Sequence, residues 1–245
     1  MEIRLFDNYL NVDNEYLCNS ISLVIDTFRA TTVLITALYN GAKYIIPVEE
    51  IEEALLLKDI NHNLVIGGER KALKIPGFDL DNSPLSYRKD IIEGKAVAIT
   101  TTNGTRALKV ALKSKRIFPI ALINAKYTIE YLIKHVFNSH HITKLAIICA
   151  GNEKRLTLED VLTGGYIVKI LKENLNEDIV FDDFSILAED LYDRYKNNPK
   201  DILSKARHFK NLIDAGFEND IKFCLNIDSI DCVCEYKDLK VEKVK

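Results

Sequence analysis

The sequence predicts an α/β fold, a three-layer α/β/α arrangement with a mainly parallel central sheet. Short apolar runs rich in Ile, Val and Leu recur along the chain, as is typical of buried parallel strands. Helical stretches lie between most of these runs, which favours right-handed crossovers and helices packed on the sheet. Because 47% of the 245 residues are apolar, the chain can bury a substantial core.

The predicted elements alternate over most of the chain. Strands are predicted at residues 21–25, 43–47, 64–66, 96–99, 117–122 and 145–150, and helices at 32–40, 51–59, 105–113, 125–137 and 158–175. The stretch at 67–90 is less regular, and a loop of this length is usually functional or disordered. From residue 184 onward we expect three helical pieces (185–195, 199–214 and 220–226), a last strand (232–236) and a frayed, charged tail (237–245). No linker or repeat interrupts the chain, so a single domain over residues 1–245 is expected.

Composition argues against several classes of function. The formal net charge of −3 gives no support for nucleic acid or an anionic membrane as a partner. No run approaches the roughly 20 apolar residues of a membrane span, and the charged N-terminus is unlike a signal peptide. The five cysteines show no metal-binding spacing, so reduced thiols in the cytoplasm are the simplest expectation. His140–His141 is expected to be an exposed loop pair, and a homodimer is a base-rate expectation only.

Polar residues collect directly after four of the predicted strands. The turns that begin at Asp26, Gly67, Thr100 and Cys149 should lie together, because ligands bind at the carboxyl ends of the strands in an open parallel sheet. Three of these turns open into helices, whose first amides and dipoles favour an anion. Arginines there would add charge-assisted hydrogen bonds to a phosphate. The candidate substrate-binding residues are Arg29, Thr31, Arg70, Asn103, Gly104, Thr105 and Arg106.

Carboxylates placed among these arginines indicate more than a binding pocket. The predicted ligands of one Mg²⁺ ion are Asp26, Glu69, Asp79 and Asp160, since magnesium prefers hard oxygen ligands. Asp26 is also a catalytic candidate, together with Glu159. A metal ion that bridges phosphate oxygens stabilises the charge of phosphoryl transfer. The pattern therefore predicts hydrolysis or transfer of a phosphoryl group on a small anion.

Each of these signals also has a purely structural interpretation. The threonines of the turns can be helix caps, and Asp26 can simply pair with Arg29. Glu159 and Asp160 can be first-turn partners of a helix dipole, and Asp79 can be a turn former. The functional interpretation is favoured because four separate turns carry the pattern.

Cys149 is a third catalytic candidate. Arg155 follows it with five residues between, which is the spacing of phosphatases that use a thiolate nucleophile. The histidine and hydroxyl residues usual in such sites are absent, because Ile148 and Leu156 stand at those positions. A buried, inert cysteine at a strand end is the alternative, and the role of Cys149 as nucleophile stays open.

The same segments resemble the 2-phosphosulfolactate phosphatase family, in the same order along almost the whole chain. They are VIDTFRATT at 24–32, GGER at 67–70, GFDLDNSP at 77–84, TTTNGTRAL at 100–108, CAGN at 149–152, LED at 158–160 and DIKFC at 220–224. The resemblance implies a magnesium-dependent hydrolase of the coenzyme M pathway, which releases phosphate from 2-phosphosulfolactate and has this family's α/β/α fold.

The chain departs from the family pattern at a few positions, which bear on the substrate more than on the chemistry. Lys71–Ala72 replaces a usual glycine pair, Asp81 a usual glycine, and Phe209 the glycine of a usual His-Gly pair, while Cys234 follows Val233 where the family has Val-Pro.

The working assignment gives phosphate to Arg29, Arg106 and the amides of 103–105, and the sulfonate or carboxylate to Arg70. Water attack assisted by a carboxylate is the simplest route, and a phosphoenzyme on Asp26 or Cys149 stays open. Two other functions also stay open: a non-catalytic binding protein for a phosphorylated metabolite, and a metal-independent phosphatase that uses Cys149.

Overall fold

Eleven strands and eleven α-helices make up the part of the chain that the structure, a computed structural model, describes: residues 1–137, 142–175 and 179–244. The strands are β1 (Glu2–Phe6), β2 (Ile21–Ile25), β3 (Tyr44–Pro47), β4 (Val65–Arg70), β5 (Leu73–Lys74), β6 (Ala96–Thr100), β7 (Arg116–Ile120), β8 (Lys144–Cys149), β9 (Val180–Phe181), β10 (Cys234–Lys237) and β11 (Lys240–Lys243). The helices are α1 (Asn14–Leu17), α2 (Ala30–Tyr39), α3 (Ile51–Ile60), α4 (Lys89–Ile92), α5 (Gly104–Val110), α6 (Ala125–His135), α7 (Leu158–Asn174), α8 (Asp183–Tyr195), α9 (Lys200–Leu203), α10 (Arg207–Asp214) and α11 (Glu218–Cys224).

The strands form two sheets rather than the single sheet predicted. The first has the order β7-β2-β8-β1-β9, with every pair parallel. The second has the order β10-β11-β3-β6-β4-β5 and is parallel only where β6 joins β3 and β4. The two sheets meet at β7 and β10, where Arg116 donates two hydrogen bonds of 2.6 Å to the Glu235 carboxylate.

Helices cover both faces of these sheets, which confirms the three-layer α/β/α class. Apolar residues of α2 and α5 pack in one core cluster with residues of both sheets. On the opposite face α6, α7 and α8 pack on the first sheet, and α3 packs on the second. Buried strands with apolar residues on both faces are the expected consequence of this layering, and all five residues of β2 and of β6 are buried.

All seven predicted strands are present, including the last one, but four further strands, β1, β5, β9 and β11, escaped prediction. In β1 only Ile3 and Leu5 are buried, so the run is interrupted by charge and lacks the continuous apolar signal. β5 and β9 have two residues each. The predicted frayed tail is wrong at β11, because Val241 is buried and pairs with Ile45 of β3.

The predicted helix at 199–214 is in fact two helices, α9 and α10, and His208 lies in the second. The predicted pair His140–His141 lies outside the described residues. Within the described ranges, no helix is both long and apolar enough to cross a membrane.

The irregular stretch after β4 is an ordered hairpin that reaches the site. Lys71 and Ala72 connect β4 to β5 with φ of 54° and 65°, the left-handed conformation that a two-residue hairpin turn requires and that glycine adopts most easily. The turn is held by hydrogen bonds from Ala72 N to Glu69 Oε2 (2.9 Å) and from Arg29 Nη2 to Ala72 O (3.2 Å). This geometry accounts for the usual glycine pair in the resembling sequences and places a lysine at the site.

Candidate active site

A cleft of about 800 Å³ lies at the carboxyl ends of β2, β4, β6 and β8. It is the region where the sequence predicted that the four polar turns gather. The strand register explains why two of them meet: Ile25 of β2 pairs with Cys149 of β8, so the turns that follow leave the sheet side by side. Helix α10, in the C-terminal part of the chain, closes another side of the cleft with His208. The polar and charged residues that line the cleft include Asp26, Arg29, Glu69, Arg70, Lys71, Asn103, Asn152, Thr157, Glu159, Asp160 and His208.

Asp160 joins the turns after β2 and β8. Its Oδ1 accepts the Thr27 N–H at 2.9 Å, and its Oδ2 accepts the Gly151 N–H at 3.1 Å. The residue is buried in the first turn of α7, so its orientation is fixed by the helix and by both amides. Burial, together with the charges of Asp26 and Glu159, nevertheless raises the pKa of Asp160 to about 8.

Asp26 stands at the end of β2, where the chain turns into α2. Its Oδ1 accepts the Ala30 N–H at 3.1 Å, while Thr31 secures the turn by donating its hydroxyl to the Asp26 carbonyl at 2.9 Å. Burial raises the pKa of Asp26 to about 6, although the Ala30 N–H and the nearby His208 oppose this shift. No hydrogen bond to Asp26 Oδ2 is present among the described residues, so this oxygen is available to a ligand.

Buried Glu159 and half-buried His208 form a hydrogen-bonded pair at the cleft. Glu159 is 1% exposed, and its Oε1 shares a hydrogen bond with His208 Nδ1. Burial alone would lower the pKa of His208, but the hydrogen bond to Glu159 and the charges of Glu159, Asp26 and Asp160 outweigh it, so the pKa is raised. The second oxygen, Glu159 Oε2, is buried without a hydrogen-bond partner among the described residues. Such an oxygen is costly unless a ligand binds it.

Glu69 fixes two turns rather than pointing freely at a ligand. Its Oε1 accepts the amide and the hydroxyl of Thr102, at 2.8 and 2.9 Å, and its Oε2 accepts the Ala72 N–H. The predicted ligand therefore lies at the cleft, with each of its oxygens already bound to backbone.

The arginines of the cleft are partly engaged by the protein itself. Arg29 is 2% exposed and ion-paired with Asp220 at 2.6 Å, and its guanidinium lies 3.8 Å from the centre of the Phe217 ring. Arg70 donates to the carbonyls of Glu69 and Glu49, both at 2.8 Å, and to Thr100 Oγ1 at 3.0 Å. Their positions are therefore fixed before any ligand binds, and an arginine has five N–H donors, so some are left for an anion.

Several predicted site residues do not line the cleft. Thr31 is fully buried, and Thr105 bonds to Thr101 through both its amide and its hydroxyl, so both have structural roles. Arg106 is exposed on α5, outside the lining residues. Gly104 lies behind the cleft, where a Cβ would come within 2.5 Å of the Ala30 Cβ, so glycine allows α2 and α5 to approach. Of the 103–105 segment, only Asn103 lines the cleft.

Asp79 and Cys149 also lie outside the cleft, which argues against their predicted roles. Asp79 Oδ2 accepts from the Ile66 N–H and from Lys58 Nζ, both at 2.9 Å, so Lys58 and the strand backbone neutralise it. Cys149 is fully buried, and its burial raises the pKa of the thiol well above the ordinary value, which disfavours a thiolate nucleophile. The alternative of an inert cysteine at a strand end fits this placement.

Two residues of the site were not among the candidates chosen from the sequence. His208 belongs to a helix far from the strand-end turns, and the available signal for it was the histidine of the family's usual His-Gly pair, which this chain keeps. Asp220, which pairs with Arg29, also accepts from Ser83 Oγ at 2.7 Å. The DIKFC segment of the family resemblance contains Asp220 and was the available signal for it.

The charges that line the cleft bear on whether it can hold a magnesium ion. The cleft is lined by six carboxylate residues and four basic ones, which are Asp26, Glu69, Glu153, Glu159, Asp160 and Asp214 against Arg29, Arg70, Lys71 and His208. An anionic substrate needs a further cation there. The described residues contain no cluster of three or more His, Cys, Asp or Glu side chains arranged to hold a metal. Magnesium, however, keeps several waters and binds through one or two carboxylates plus substrate phosphate, so Asp26 Oδ2 and Glu159 Oε2 suffice.

Comparison with known proteins places the chain among phosphatases. A family model described as 2-phosphosulpholactate phosphatase matches residues 9–239. A relative from Caldicellulosiruptor saccharolyticus, named probable 2-phosphosulfolactate phosphatase, is 50% identical over 244 residues that cover 100% of both chains. Proteins of the same name from Caldanaerobacter subterraneus subsp. tengcongensis and Clostridium tetani are 40% and 39% identical, over 97% of this chain and 96% and 98% of theirs. The matched region includes every turn that lines the cleft.

The raised pKa of Asp26 predicts how an uncharged variant changes stability. Its folded pKa of about 6 lies above the ordinary 3.8, so the ionised carboxylate costs stability above pH 6, and the cost disappears as the pH falls toward 3.8. Asp26→Asn keeps an oxygen for the Ala30 N–H. In metal-free protein we expect it to raise the free energy of unfolding by about 1–3 kcal/mol at pH 8 and by less at pH 5.

Urea unfolding in chelator at pH 5, 6.5 and 8 measures this difference. Asp79→Asn is the matched control with the opposite sign, because the Ile66 N–H and Lys58 overcome partial burial and lower the pKa of Asp79, so its charge stabilises the fold at neutral pH. An Asp26→Asn protein that is less stable than the parent at pH 8 would show that the carboxylate is not destabilised.

Proposed function

This chain belongs to the 2-phosphosulfolactate phosphatase family, and on that premise we propose that it hydrolyses 2-phosphosulfolactate to sulfolactate and phosphate with the help of Mg²⁺. The observation that carries the proposal is the hydrogen-bonded Glu159–His208 pair, which lies in one cleft with Asp26, Asp160 and two anchored arginines. A histidine held by a carboxylate beside acidic metal ligands is an arrangement suited to phosphoester hydrolysis.

The substrate fits the mixed charge of the cleft. Phosphosulfolactate carries three anionic groups. The positive charges that line the cleft are the two arginines held by protein acceptors, Arg29 and Arg70, and the side chain of Lys71. Asn103 and Asn152 add neutral donors; their side chains lie 3.4 Å apart, from Asn103 Nδ2 to Asn152 Oδ1. Because the arginines are held by protein acceptors before substrate arrives, little ordering entropy is lost when they bind an anion.

The metal would be held by Asp26 and Glu159, whose Oδ2 and Oε2 atoms lack protein donors among the described residues. When bound, Mg²⁺ supplies positive charge that stabilises the phosphate oxygens in the transition state. Asp160 keeps its two backbone hydrogen bonds and holds the turns of β2 and β8 together, so its role here is to position both ligands.

His208 is the proposed general acid. Its Nδ1 is bound to Glu159, which leaves Nε2 for the leaving group, and the hydrogen bond to Glu159 raises the pKa of His208, which favours the protonated ring that a general acid requires. Water attacks phosphorus, the bond between phosphorus and the sulfolactate oxygen breaks, and the His208 proton passes to that oxygen, so that sulfolactate leaves as an alcohol. The transition state of such a transfer is loose, so protonation of a poor leaving group matters more than activation of the water.

The two alternative functions account for fewer observations. A binding protein for a phosphorylated metabolite would not need several carboxylates buried next to one another, since they repel both one another and the ligand. A cysteine phosphatase would need an accessible, low-pKa thiol, whereas the Cys149 side chain is buried behind the cleft.

Phosphate release from racemic 2-phosphosulfolactate tests the proposed reaction, with 2-phospholactate and p-nitrophenyl phosphate as comparison substrates. With Mg²⁺ present, the protein should turn over 2-phosphosulfolactate with the highest kcat/KM, and excess chelator should abolish the release. Turnover that survives chelator would contradict the metal role, and no release from any substrate would contradict the phosphatase assignment.

Variants of His208 test the general acid. His208→Gln retains a donor for Glu159 but no ionisable group, and we expect kcat for 2-phosphosulfolactate to fall by about 10²–10⁴-fold. The loss should be much smaller for p-nitrophenyl phosphate, since p-nitrophenolate leaves without a proton. Cys149→Ala, which changes a buried side chain outside the cleft, should keep metal-dependent activity. An equal loss on both substrates would remove the acid role, and an inactive but folded Cys149→Ala protein would restore the cysteine.

A further inference from the structure

A second cavity of about 230 Å³ opens beside the cleft. It is lined by residues 152, 155–159 and 206–208. Four of these, Asn152, Thr157, Glu159 and His208, also line the main cleft, so the Glu159–His208 pair stands where the two cavities join. A molecule that is bound at the pair can therefore extend into the side cavity.

The side cavity carries an uncommitted positive charge. Arg207 is ion-paired with Glu153, but no partner of the Arg155 guanidinium is present among the described residues. In the main cleft, by contrast, Arg29 and Arg70 are bound to protein acceptors. The carboxylate of Glu159 faces the same side cavity, but its Oε1 is engaged in the hydrogen bond with His208 Nδ1.

The backbone of Arg155 is held in place, whereas its side chain is exposed and has no partner among the described residues. Asn152 and Arg155 pair through two backbone hydrogen bonds of 2.9 and 3.0 Å across a tight turn, and Asn8 Nδ2 donates to the Arg155 carbonyl at 3.1 Å. The turn residues Glu153 and Lys154 have φ of 49° and 62°, as such a turn requires. A guanidinium on a fixed backbone is well placed to bind an anionic group.

Thr157 adds an unused donor to the same cavity. It occupies the N-cap of α7, yet its side chain makes no capping hydrogen bond, and its Oγ1 is buried without a partner among the described residues. The hydroxyl lies close enough to the Asp160 carboxylate to lower the pKa of that group, but it makes no hydrogen bond among the described residues, so it is suited to a bound ligand. The N-terminus of the 17-residue helix α7 adds a favourable field for an anion.

From this geometry we infer that the side cavity binds the sulfonate of the substrate, with Arg155 and Thr157 as its specificity-determining residues. The inference rests on the proposed function, in which the phosphoester lies at the Glu159–His208 pair. In 2-phosphosulfolactate the carboxylate is bonded to the carbon that carries the phosphoester, whereas the sulfonate is one carbon further away. The more distant group is the one that reaches a cavity beyond the pair. A guanidinium and a hydroxyl match its three acceptor oxygens.

The test compares Arg155→Gln with Lys154→Gln. Lys154 is the neighbouring cation of the same turn and lines neither cavity, so it controls for the loss of one charge. For Arg155→Gln we expect the ratio of kcat/KM for 2-phosphosulfolactate to that for 2-phospholactate to fall about 10- to 100-fold, mainly through KM. Both side chains are exposed, but Lys154 lines neither cavity, so Lys154→Gln should leave the ratio within about twofold, through a screened field alone. An unchanged ratio in Arg155→Gln, or an equal fall in both variants, would overturn the inference.

Calorimetric binding of sulfolactate and of lactate separates this inference from the proposed reaction. Arg155→Gln should weaken the binding of sulfolactate about tenfold or more but not that of lactate, and this holds whether or not the wild-type protein turns over the phosphoester. A wild-type protein without phosphatase activity would overturn the proposed function alone. Sulfolactate binding that Arg155→Gln leaves intact would overturn the sulfonate site alone.

Discussion

Asp160 is the side chain on which the site depends, because its two oxygens join the turns after β2 and β8 through the Thr27 and Gly151 amides. Those turns carry Asp26 on one side and Asn152 on the other, and the same first turn of α7 carries Glu159. The fold thus places three carboxylates close together, two of them buried, and their mutual repulsion contributes to the raised pKa values of Asp26 and Asp160. Backbone amides and His208 offset part of that repulsion. In the proposed function, a bound cation offsets the rest.

Much of the fold could be predicted from the sequence, because a buried parallel strand leaves a nearly unbroken apolar run. All six runs of that kind are strands, and the turns after β2, β4, β6 and β8 meet at the predicted edge. The strands that were missed are very short or carry charge at alternate positions, as in β1, and thus lack this signal. The division into two sheets depends on which strands pair as neighbours, and apolar runs carry no information about pairing.

The site could be predicted where chemistry follows a strand directly, as at Asp26, Arg29, Glu69, Arg70 and Asn103. It could not be predicted where the site depends on contacts between residues that are far apart in the sequence. His208 contacts Glu159 across 49 positions in the sequence, and Asp220 pairs with Arg29 across 191. Conversely, a suitable residue type in a suitable turn is not enough. Asp79 is neutralised by a lysine of α3, and Arg106 lies on the exposed side of its helix.

The central claim is that the acidic cleft acts on an anionic phosphoester through a metal ion held by its carboxylates. The direct measurement is a calorimetric titration of the metal-free protein with Mg²⁺, first alone and then with saturating inorganic phosphate. If the carboxylates and the phosphate share the ion, Mg²⁺ binds and phosphate tightens its binding by about tenfold or more, since the coupling of the two ligands is reciprocal. Absence of Mg²⁺ binding in both titrations, or binding that phosphate leaves unchanged, would contradict the claim.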